Sequence, residues 1–408
     1  MITLLYNLGI RLYSVALFLV SPFNVKAKLL RKGRCETKQQ LPEISFKGPV
    51  VWVHAASLGE FEQGRPIIEA IKKEHPHYKV VLTFFSPSGF EIRKNYELAD
   101  WVCYLPADTK RNARRFIEAI RPEMVFFIKY EFWYHYLTNL KKANIPVYGV
   151  STIFRREQSF FKGYGSWFKK MLHCFKKFYV QDEVSGELLT DIGIGNFAVA
   201  GDTRFDRVSD IAKASADVEL ARRFADGADK VIVAGSTWGP DEDILIEYLQ
   251  NEGKNVKLII APHEIHDEHI RQIESKLKVH YFTYTNPPKD PQNYQVMIVN
   301  TMGMLSAIYK YGQVAYIGGG FGKGIHNTLE AATYEMPVFF GPNYRKFNEA
   351  RDLIEKEAAF SINNKEEFAQ LIDKMWGDKK YLASLSKNAG QYVSDMCGAT
   401  RLIMEEAF

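Results

Sequence analysis

Short apolar runs recur along this chain and alternate with longer segments in which apolar residues have helical spacing. Runs of this kind, rich in Val, Ile and Phe, predict strands buried in a parallel sheet. In the first half of the chain they lie at 50–54, 80–85, 101–105, 124–128 and 147–150. The pattern then restarts, with runs at 231–234, 256–261, 296–299, 314–317 and 338–340. It therefore predicts two α/β domains, each built on a doubly wound parallel sheet.

The change of pattern near residues 205–220 marks the predicted domain boundary. We assign 1–25 to a membrane anchor, 26–210 to an N-terminal Rossmann-like domain and 211–408 to a C-terminal one. A chain of 408 residues is long for one hydrophobic core and fits two domains. Open parallel sheets bind ligands beyond the carboxyl ends of their strands. Functional residues are therefore expected in the turns after 54, 85, 128, 234, 261 and 318.

Residues 1–23 are mostly apolar, with interruptions at Asn7 and Arg11. The segment reaches the ~20 residues that a membrane-spanning helix needs. Arg11 at mid-membrane would nevertheless cost a few kcal/mol. A basic cluster that follows would favour anionic lipid headgroups on the cytoplasmic side, and it consists of Lys26, Lys28, Arg31, Lys32 and Arg34. We interpret the segment as an uncleaved anchor that spans the membrane or lies in its interface; the alternative is a buried N-terminal helix.

A glycine-dense turn precedes a helix that is predicted to begin near Asn327. Five of the seven residues at 318–324 are glycine, which lets the backbone approach a ligand closely. The unpaired N–H groups of a helix start can hold a phosphate. The turn is not G-x-G-x-x-G, because Ile325 replaces the last glycine, and it is not a Walker loop, because Gly324 follows Lys323. The alternative is an ordinary tight connection between a strand and a helix.

Two glutamates lie at predicted helix starts. Glu60 follows the run at 50–54 and could take a proton from an attacking hydroxyl group. The alternative is a capping box with Ser57, in which Glu60 only satisfies its own helix end. Glu330 lies three residues after Asn327 and has the same two interpretations. Its functional role would be to bind ribose hydroxyl groups.

Other polar residues follow predicted strands. Lys129 and Glu131 come after a nearly all-apolar strand, where a charged pair is more often functional than structural. His263, His266 and His269 are spaced by three and do not form H-E-x-x-H. A metal site is therefore disfavoured there, and a contact from His263 to a phosphate or a base is preferred.

Residues 155–177 contain seven Lys or Arg and one acid, Glu157, interleaved with six aromatic residues. One interpretation is a solvated basic helix that packs its aromatic face on the core. Another is a surface for a membrane or an anionic lipid. Nucleic acid is a weaker third interpretation, because no recognised nucleic-acid-binding motif accompanies the segment. The predicted anchor favours lipid.

Composition narrows the protein class only slightly. A hydrophobic content of 46% with 25% charged residues is ordinary for a globular protein. The net charge of +5 is too small to indicate nucleic acid by itself. The four cysteines, at 35, 103, 174 and 397, form no CxxC pair. Their spacing fits a reducing compartment and argues against a disulfide framework or a zinc site.

Taken together, these segments resemble the 3-deoxy-D-manno-octulosonic acid (Kdo) transferases of lipid A biosynthesis. The similar segments occur in the same order over most of the chain, at 52–60, 83–89, 131–133, 201–206, 235–237, 300–303, 324–330 and 340–342. Each segment is short, but their order and spacing together are specific.

The resemblance implies a GT-B fold, with two Rossmann-like domains around a cleft. It implies inverting transfer of Kdo from CMP-Kdo to the lipid A precursor (lipid IVA), with Glu60 as general base and no metal or other cofactor. We expect acceptor contacts from Ser57, Glu131 and Arg155. The residues expected to bind the CMP-Kdo donor are Pro262, His263, Thr301, Met302, Gly303, Lys323, His326, Asn327 and Glu330.

The chain departs from the family pattern at three positions. His263 stands where an arginine is usual, Lys129 where an acidic residue is usual, and Tyr134 where proline is common. The first affects the expected phosphate contact, and the others affect acceptor contacts near Glu131.

The expected partners are CMP-Kdo, a lipid A precursor and the cytoplasmic side of the inner membrane, without nucleic acid. Two other functions remain open at this point. One is a GT-B transferase that uses a UDP-sugar. The other is a membrane-tethered sugar-binding or lipid-binding protein without turnover.

Overall fold

The computed structural model describes residues 2–251 and 255–408 of the chain. They form two compact units. The first contains Met1–Asp206 with Cys397–Phe408, and the second contains Arg207–Met396. Each unit is built on a seven-stranded sheet whose paired strands run parallel. The predicted α/β class is therefore confirmed.

The central strands of both sheets are largely buried. The strands of the first unit are β1 (Val50–Ala55), β2 (Lys79–Phe84), β3 (Trp101–Tyr104), β4 (Met124–Ile128), β5 (Val147–Thr152), β6 (Lys177–Val180) and β7 (Phe197–Val199). Those of the second unit are β8 (Val231–Thr237), β9 (Lys257–Pro262), β10 (Tyr281–Thr283), β11 (Val296–Ile298), β12 (Val314–Ile317), β13 (Val338–Phe340) and β14 (Ala359–Ser361).

The strand order places a ligand-binding position in each unit. The orders are β3-β2-β1-β4-β5-β6-β7 and β10-β11-β9-β8-β12-β13-β14. In the first sheet the order reverses between β1 and β4, and in the second it reverses between β8 and β12. Connections on the two sides of such a point diverge and leave a crevice beyond the carboxyl ends of the strands. Candidate chemistry is therefore expected after these four strands.

The helices connect the strands and cover both faces of each sheet. They are α1 (Ile2–Val20), α2 (Val25–Gln40), α3 (Leu58–Glu74), α4 (Pro87–Arg93), α5 (Lys110–Ile120), α6 (Tyr134–Lys142), α7 (Ser166–Leu172), α8 (Glu183–Asp191), α9 (Thr203–Ala214), α10 (Glu219–Ala225), α11 (Gly239–Asn251), α12 (Asp267–Lys276), α13 (Leu305–Ile308), α14 (Leu329–Ala332), α15 (Asn348–Glu355), α16 (Lys365–Gly377), α17 (Lys379–Asp395) and α18 (Ala399–Ala407).

Every strand predicted from the sequence is present, with ends that agree to within three residues. The strands β6, β7, β10 and β14 were not predicted. They have three or four residues each and lie at or next to the edges of their sheets. So short a run gives too little periodicity to separate a strand from a loop.

The C-terminal segment differs from the predicted domain division, which placed residues up to 408 in the second domain. Residues 397–408 belong to the first unit, where Ile403 and Met404 of α18 are buried in the core. The Asp206 carboxylate accepts the N–H groups of Gly398 at 2.5 Å and Thr400 at 2.7 Å, and so caps this helix. Sequence periodicity does not show which core a terminal amphipathic helix joins.

The N-terminal helix α1 has no buried residue, so the alternative of a buried helix is wrong. It is also long and apolar enough to cross a membrane by length and composition. Its outward face carries exposed apolar side chains, including Leu4, Leu5, Leu8 and Leu12.

Residues 155–177 do not form one basic helix. They contain a 3-10 turn at Ser159–Phe161 and the short helix α7. Phe160, Trp167 and Phe175 are buried in the core of the first unit, and Tyr164 is 66% exposed. Most of the aromatic residues are therefore structural.

Candidate active site

Glu60 lies just beyond the carboxyl end of β1, in the first turn of α3. Its carboxylate turns back along the chain, and Oε2 accepts a hydrogen bond of 2.5 Å from the Ala56 N–H. The Ser57 side chain makes no capping hydrogen bond. The reciprocal capping box considered from the sequence is therefore not formed.

The environment of Glu60 suits proton transfer. Burial, and next the negative charge of Glu131, raise the pKa of Glu60 to about 7. Interactions of Glu60 with the Ala56 N–H, His54 and Lys129 oppose this rise in pKa. A carboxyl group with a pKa near neutrality can accept a proton from a substrate hydroxyl group and later release it.

A buried hydrogen-bond network fixes Glu131 at the end of β4. Its Oε2 accepts Trp133 Nε1–H at 2.6 Å and lies 3.0 Å from His54 Nε2. The other imidazole nitrogen, His54 Nδ1, lies 2.8 Å from Thr83 Oγ1, which also accepts Trp52 Nε1–H at 2.8 Å. Because both ring nitrogens of the buried His54 have partners, the Glu131 carboxylate is held in one position. The predicted acceptor-binding residue Glu131 therefore also belongs to a buried network that stabilises the fold.

Tyr130 is a site residue that sequence reasoning missed. Burial raises the pKa of its hydroxyl group, with Arg155 lowering and Glu60 raising that pKa. Arg155 and Glu60 are therefore both close enough to influence the Tyr130 hydroxyl group, although Arg155 itself is exposed. The available signal was the position of Tyr130 between Lys129 and Glu131. Lys129 has a φ of 66°, a strained conformation that is concentrated at functional sites.

Three rings meet at the carboxyl ends of β8, β9 and β12 in the second unit. His263 stacks on Trp238 with ring centroids 4.8 Å apart and on His326 at 4.4 Å. Trp238 Nε1–H donates to His326 Nε2 at 3.3 Å. Trp238 and His326 are therefore joined edge to edge, and the exposed His263 covers both. Burial and the neighbouring His263 lower the pKa of His326.

Asp241 ties the glycine turn to the start of α11. Its two carboxylate oxygens accept Gly319 N–H at 2.9 Å, Tyr316 O–H at 2.9 Å and Trp238 N–H at 3.0 Å. Asp241 is itself 1% exposed. Neither Trp238 nor Asp241 was among the predicted site residues, although the turn after 234 was expected to carry function.

Close backbone packing requires glycine at several positions of the turn, independently of any role in ligand binding. A Cβ at Gly318 would lie 2.2 Å from the Ser236 carbonyl oxygen, and one at Gly320 would lie 2.5 Å from the Gly341 nitrogen. Gly319 has a φ of 90°. The turn therefore packs backbone against backbone at the ends of β8 and β13, which excludes larger residues.

The helix predicted to begin near Asn327 is present as α14, which has only four residues. Asn327 Oδ1 accepts Leu329 N–H at 3.1 Å, and Asn327 Nδ2 donates to Glu330 Oε1 at 2.9 Å. The dipole of so short a helix is small, so it adds little to the predicted phosphate contact at this turn.

The other predicted donor residues follow β9, β11 and β12. Pro262 is buried at the end of β9, Thr301 is half-buried, and Met302 is 74% exposed. Gly303 has a φ of 85°, and Lys323 is exposed at the tip of the glycine turn. Since β9 and β12 flank β8 and β11 pairs with β9, these residues follow the ends of parallel strands on the same side of the sheet.

Within residues 2–251 and 255–408, one group of side chains is close enough to suggest a metal site. The ligand atoms of Glu264, His266 and His269 lie within 4.8 Å of one another. His266 Nδ1 accepts His269 N–H at 3.2 Å, so the neutral ring carries its proton on Nε2 and donates it to Glu264 at 3.1 Å. His269 Nε2 contacts the buried Glu242 at 3.0 Å. These bonds cap α12 and join it to α11.

Comparison with known proteins shows similarity to one enzyme family. Residues 28–207 match the family model of 3-deoxy-D-manno-octulosonic-acid transferase (kdotransferase). The chain is 27% identical over 362 residues to a 3-deoxy-D-manno-octulosonic acid transferase of Chlamydia trachomatis, a match covering 85% of this chain and 83% of that protein. It is 27% identical over 354 residues to the protein of the same name in Aquifex aeolicus, covering 84% and 91%.

Solved structures agree on the fold. The UDP-GlcNAc 2-epimerase of Neisseria meningitidis, bound to UDP-GlcNAc, has a TM-score of 0.60 at 13% identity and covers 88% of this chain and 98% of its own. MurG of Acinetobacter baumannii has a TM-score of 0.55 at 11% identity, with coverage of 88% and 98%. At these identities the likeness shows the fold alone, and it confirms the predicted GT-B class.

Proposed function

We propose that this chain, a glycosyltransferase related to the Kdo transferases, moves Kdo from CMP-Kdo to a lipid A precursor of the lipid IVA type. The observation that carries the proposal is the carboxyl group of Glu60. It lies beyond the carboxyl end of β1, at a reversal point of the sheet, and its pKa is raised to about 7. A general base works best when its pKa lies near the working pH. Parallel sheets bind ligands beyond strand ends at such a reversal point, so an acceptor hydroxyl group could reach Glu60 there.

In the proposed reaction the acceptor hydroxyl oxygen attacks the anomeric carbon of Kdo while Glu60 takes the hydroxyl proton. The new C–O bond forms on the face opposite the leaving group. The bond from carbon to the phosphate oxygen of CMP breaks, and its electron pair leaves with CMP. The configuration at the anomeric carbon is thereby inverted. Glu60 afterwards releases the proton to solvent.

Donor binding is proposed for the second unit. Since α14 has only four residues and a small dipole, side chains are the better candidates for the phosphate contact. His263 is exposed on the surface of the three-ring group, and Lys323 is exposed on the glycine turn. Glu330 is proposed to bind the ribose hydroxyl groups. The remaining donor contacts are proposed for Pro262, Thr301, Met302, Gly303, His326 and Asn327.

Acceptor binding is proposed for the first unit, with Ser57, Glu131 and Arg155 as the contacts. The exposed leucines of α1 and the basic residues of α2 suit an anionic membrane surface. Tyr6 and Asn7 of α1 bond to side chains of the same unit, an arrangement that favours a helix lying in the interface over one that crosses the bilayer. A lipid acceptor of the inner leaflet could then reach Glu60 from the cytoplasmic side.

The test is the Glu60→Gln variant. The amide keeps the shape of the side chain but cannot accept the proton, so kcat should fall by about 10²–10⁴-fold. Kdo transfer from CMP-Kdo to lipid IVA is measured by mass analysis of the product. Glu69→Gln, on the same helix but paired with Arg65 at 2.6 Å, is the matched control and should keep normal turnover.

Turnover of Glu60→Gln close to that of Glu69→Gln would contradict the assigned role. The same assay with UDP-sugars in place of CMP-Kdo separates the proposal from another GT-B transferase. Absence of any product with the unaltered protein would favour a binding protein without turnover. The proposal also includes independence of metal, so EDTA should leave the rate unchanged.

A further inference from the structure

Helix α1 has two faces with different partners. Its outward face, Leu4, Leu5, Leu8, Leu12 and Leu19, consists of side chains that are 52–72% exposed. Its inward face contacts the first unit through Thr3, Tyr6, Asn7 and one side of the Tyr13 ring, which is 40% exposed. Membrane attachment needs only the outward face. Membrane attachment therefore does not explain the contacts of the inward face.

The first contact of the inward face is made at the start of α6. Tyr6 O–H donates to Asp108 Oδ2 at 2.5 Å. Asp108 is 2% exposed and also accepts the N–H groups of His135 at 3.0 Å and Tyr136 at 3.1 Å. Asn7 Oδ1 lies 2.6 Å from His135 Nε2. Helix α1 thus holds the carboxylate that caps α6, and α6 begins directly after the segment that carries Glu131.

The second contact is a column of rings. Tyr13 stacks on Phe85 with centroids 6.1 Å apart and planes 25° apart. Phe85 stacks on Trp133 at 5.1 Å and 23°. The buried Arg34 of α2 lies over Phe85 at 4.9 Å. Trp133 in turn donates its Nε1–H to Glu131 at 2.6 Å.

We propose that α1 is a positioning element of the active site, through Tyr13 and Tyr6, and not only a membrane anchor. Docking of its inward face fixes Trp133 and the start of α6, and these hold Glu131 beside Glu60. Loss of the docking lets Glu131 move towards solvent. The proton acceptor then has a different electrostatic environment, although no group that touches substrate has been changed. This inference rests on the proposed function of Glu60.

The test replaces Tyr13 by Ala, with Leu12→Ala as the matched control on the outward face. Tyr13→Ala should lower kcat about tenfold, because displacement of a positioned group by about 1 Å can cost up to 10²-fold. Its pH–rate profile should also keep activity at lower pH, because a displaced Glu131 no longer raises the pKa of Glu60. Binding to phosphatidylglycerol-containing vesicles should be little changed.

Leu12→Ala should weaken vesicle binding and leave kcat and the pH profile unchanged in detergent-dispersed acceptor. Tyr13→Phe keeps the ring and should retain wild-type kcat, which separates positioning from a general loss of folding. A second inward variant, Tyr6→Phe, removes only the hydroxyl group and should lower kcat in the same direction. Equal kcat and equal pH profiles for Tyr13→Ala and Leu12→Ala would overturn the inference.

Titration of the Glu60 carboxyl group by ¹³C NMR distinguishes failure of this inference from failure of the proposed function, because it needs no turnover. If the unaltered protein transfers no Kdo, the proposed function fails. A lower Glu60 pKa in Tyr13→Ala would still support the positioning role in that case. An unchanged pKa would overturn it.

Discussion

At the scale of single residues, the site in the first unit is defined by one carboxyl group in an unusual environment. A glutamate in water has a pKa of about 4.3. Burial and the charge of Glu131 raise the pKa of Glu60 to about 7. The hydrogen bonds of Glu131 with Trp133 and His54 keep that second charge in place. This arrangement supports the proposed role of Glu60 as a base near neutral pH.

The pH dependence of kcat is predicted from the sign of that shift. A base is active as the carboxylate, and a raised pKa means that the carboxylate is lost as the pH falls through about 7. The rate of Kdo transfer should therefore decline on the acid side of about 7. Glu131→Gln removes the negative charge and should move the decline to lower pH. A wild-type profile that stays flat down to about pH 5 would contradict the assignment of Glu60 as the base.

At the scale of elements, the glycine turn between β12 and α14 shows how packing divides similar residues into different roles. At Gly318 a Cβ would collide with the Ser236 carbonyl oxygen at 2.2 Å. At Gly322 the nearest atom to a built Cβ is 3.6 Å away, an ordinary contact. The first glycine is therefore required by the fold, and the second is free to be replaced.

Alanine substitutions at these two positions are predicted to differ in stability. Gly318→Ala should lower the free energy of unfolding of the second unit by about 2 kcal/mol or more, because backbone atoms cannot move aside. Gly322→Ala should stay within about 0.5 kcal/mol of wild type. Chemical denaturation followed by circular dichroism measures both. Equal destabilisation by the two variants would show that the turn relaxes around Gly318.

At the scale of the molecule, the exposed surface of α1 and α2 in the first unit suits the proposed membrane attachment. The outward face of α1 is a stripe of exposed leucines, and α2 carries basic residues next to it in sequence. An apolar stripe beside positive charge is the pattern of a helix that lies in an anionic interface. The inward contacts of α1 leave only one side of the helix for lipid.

Membrane binding is predicted to depend on both features. Leu5→Asp combined with Leu8→Asp should abolish sedimentation with vesicles that contain phosphatidylglycerol, because each buried leucine contributes about 1.5–3 kcal/mol. High salt should weaken binding of the unaltered protein by screening its charges. Ile92→Asp is the control, since Ile92 is exposed to a similar extent, at 58%, but lies on α4. Binding that is insensitive to the leucine changes would assign attachment to another surface.

The apolar and polar pattern of the sequence by itself determined the class of the fold, and it indicated strand ends where candidate site residues lie. Buried parallel strands need continuous apolar runs, so ten strands could be found from their composition. Functional residues of such sheets follow strand ends, so Glu60, Glu131 and His263 could be named. Ordered motifs along the chain were enough to indicate the family, which the matches over residues 28–207 and beyond support.

Only the tertiary structure decided which contacts those residues make. Tyr130, Trp238 and Asp241 depend on neighbours that are distant in sequence, and no local pattern shows such neighbours. The sequence predicted a helix start near Asn327, but only the structure shows that helix α14 has four residues. Likewise, only the folded chain shows that residues 397–408 join the first core and that α1 reaches Trp133 through Phe85. Periodicity determines whether a segment forms a helix or a strand, and long-range packing determines which residues that segment contacts.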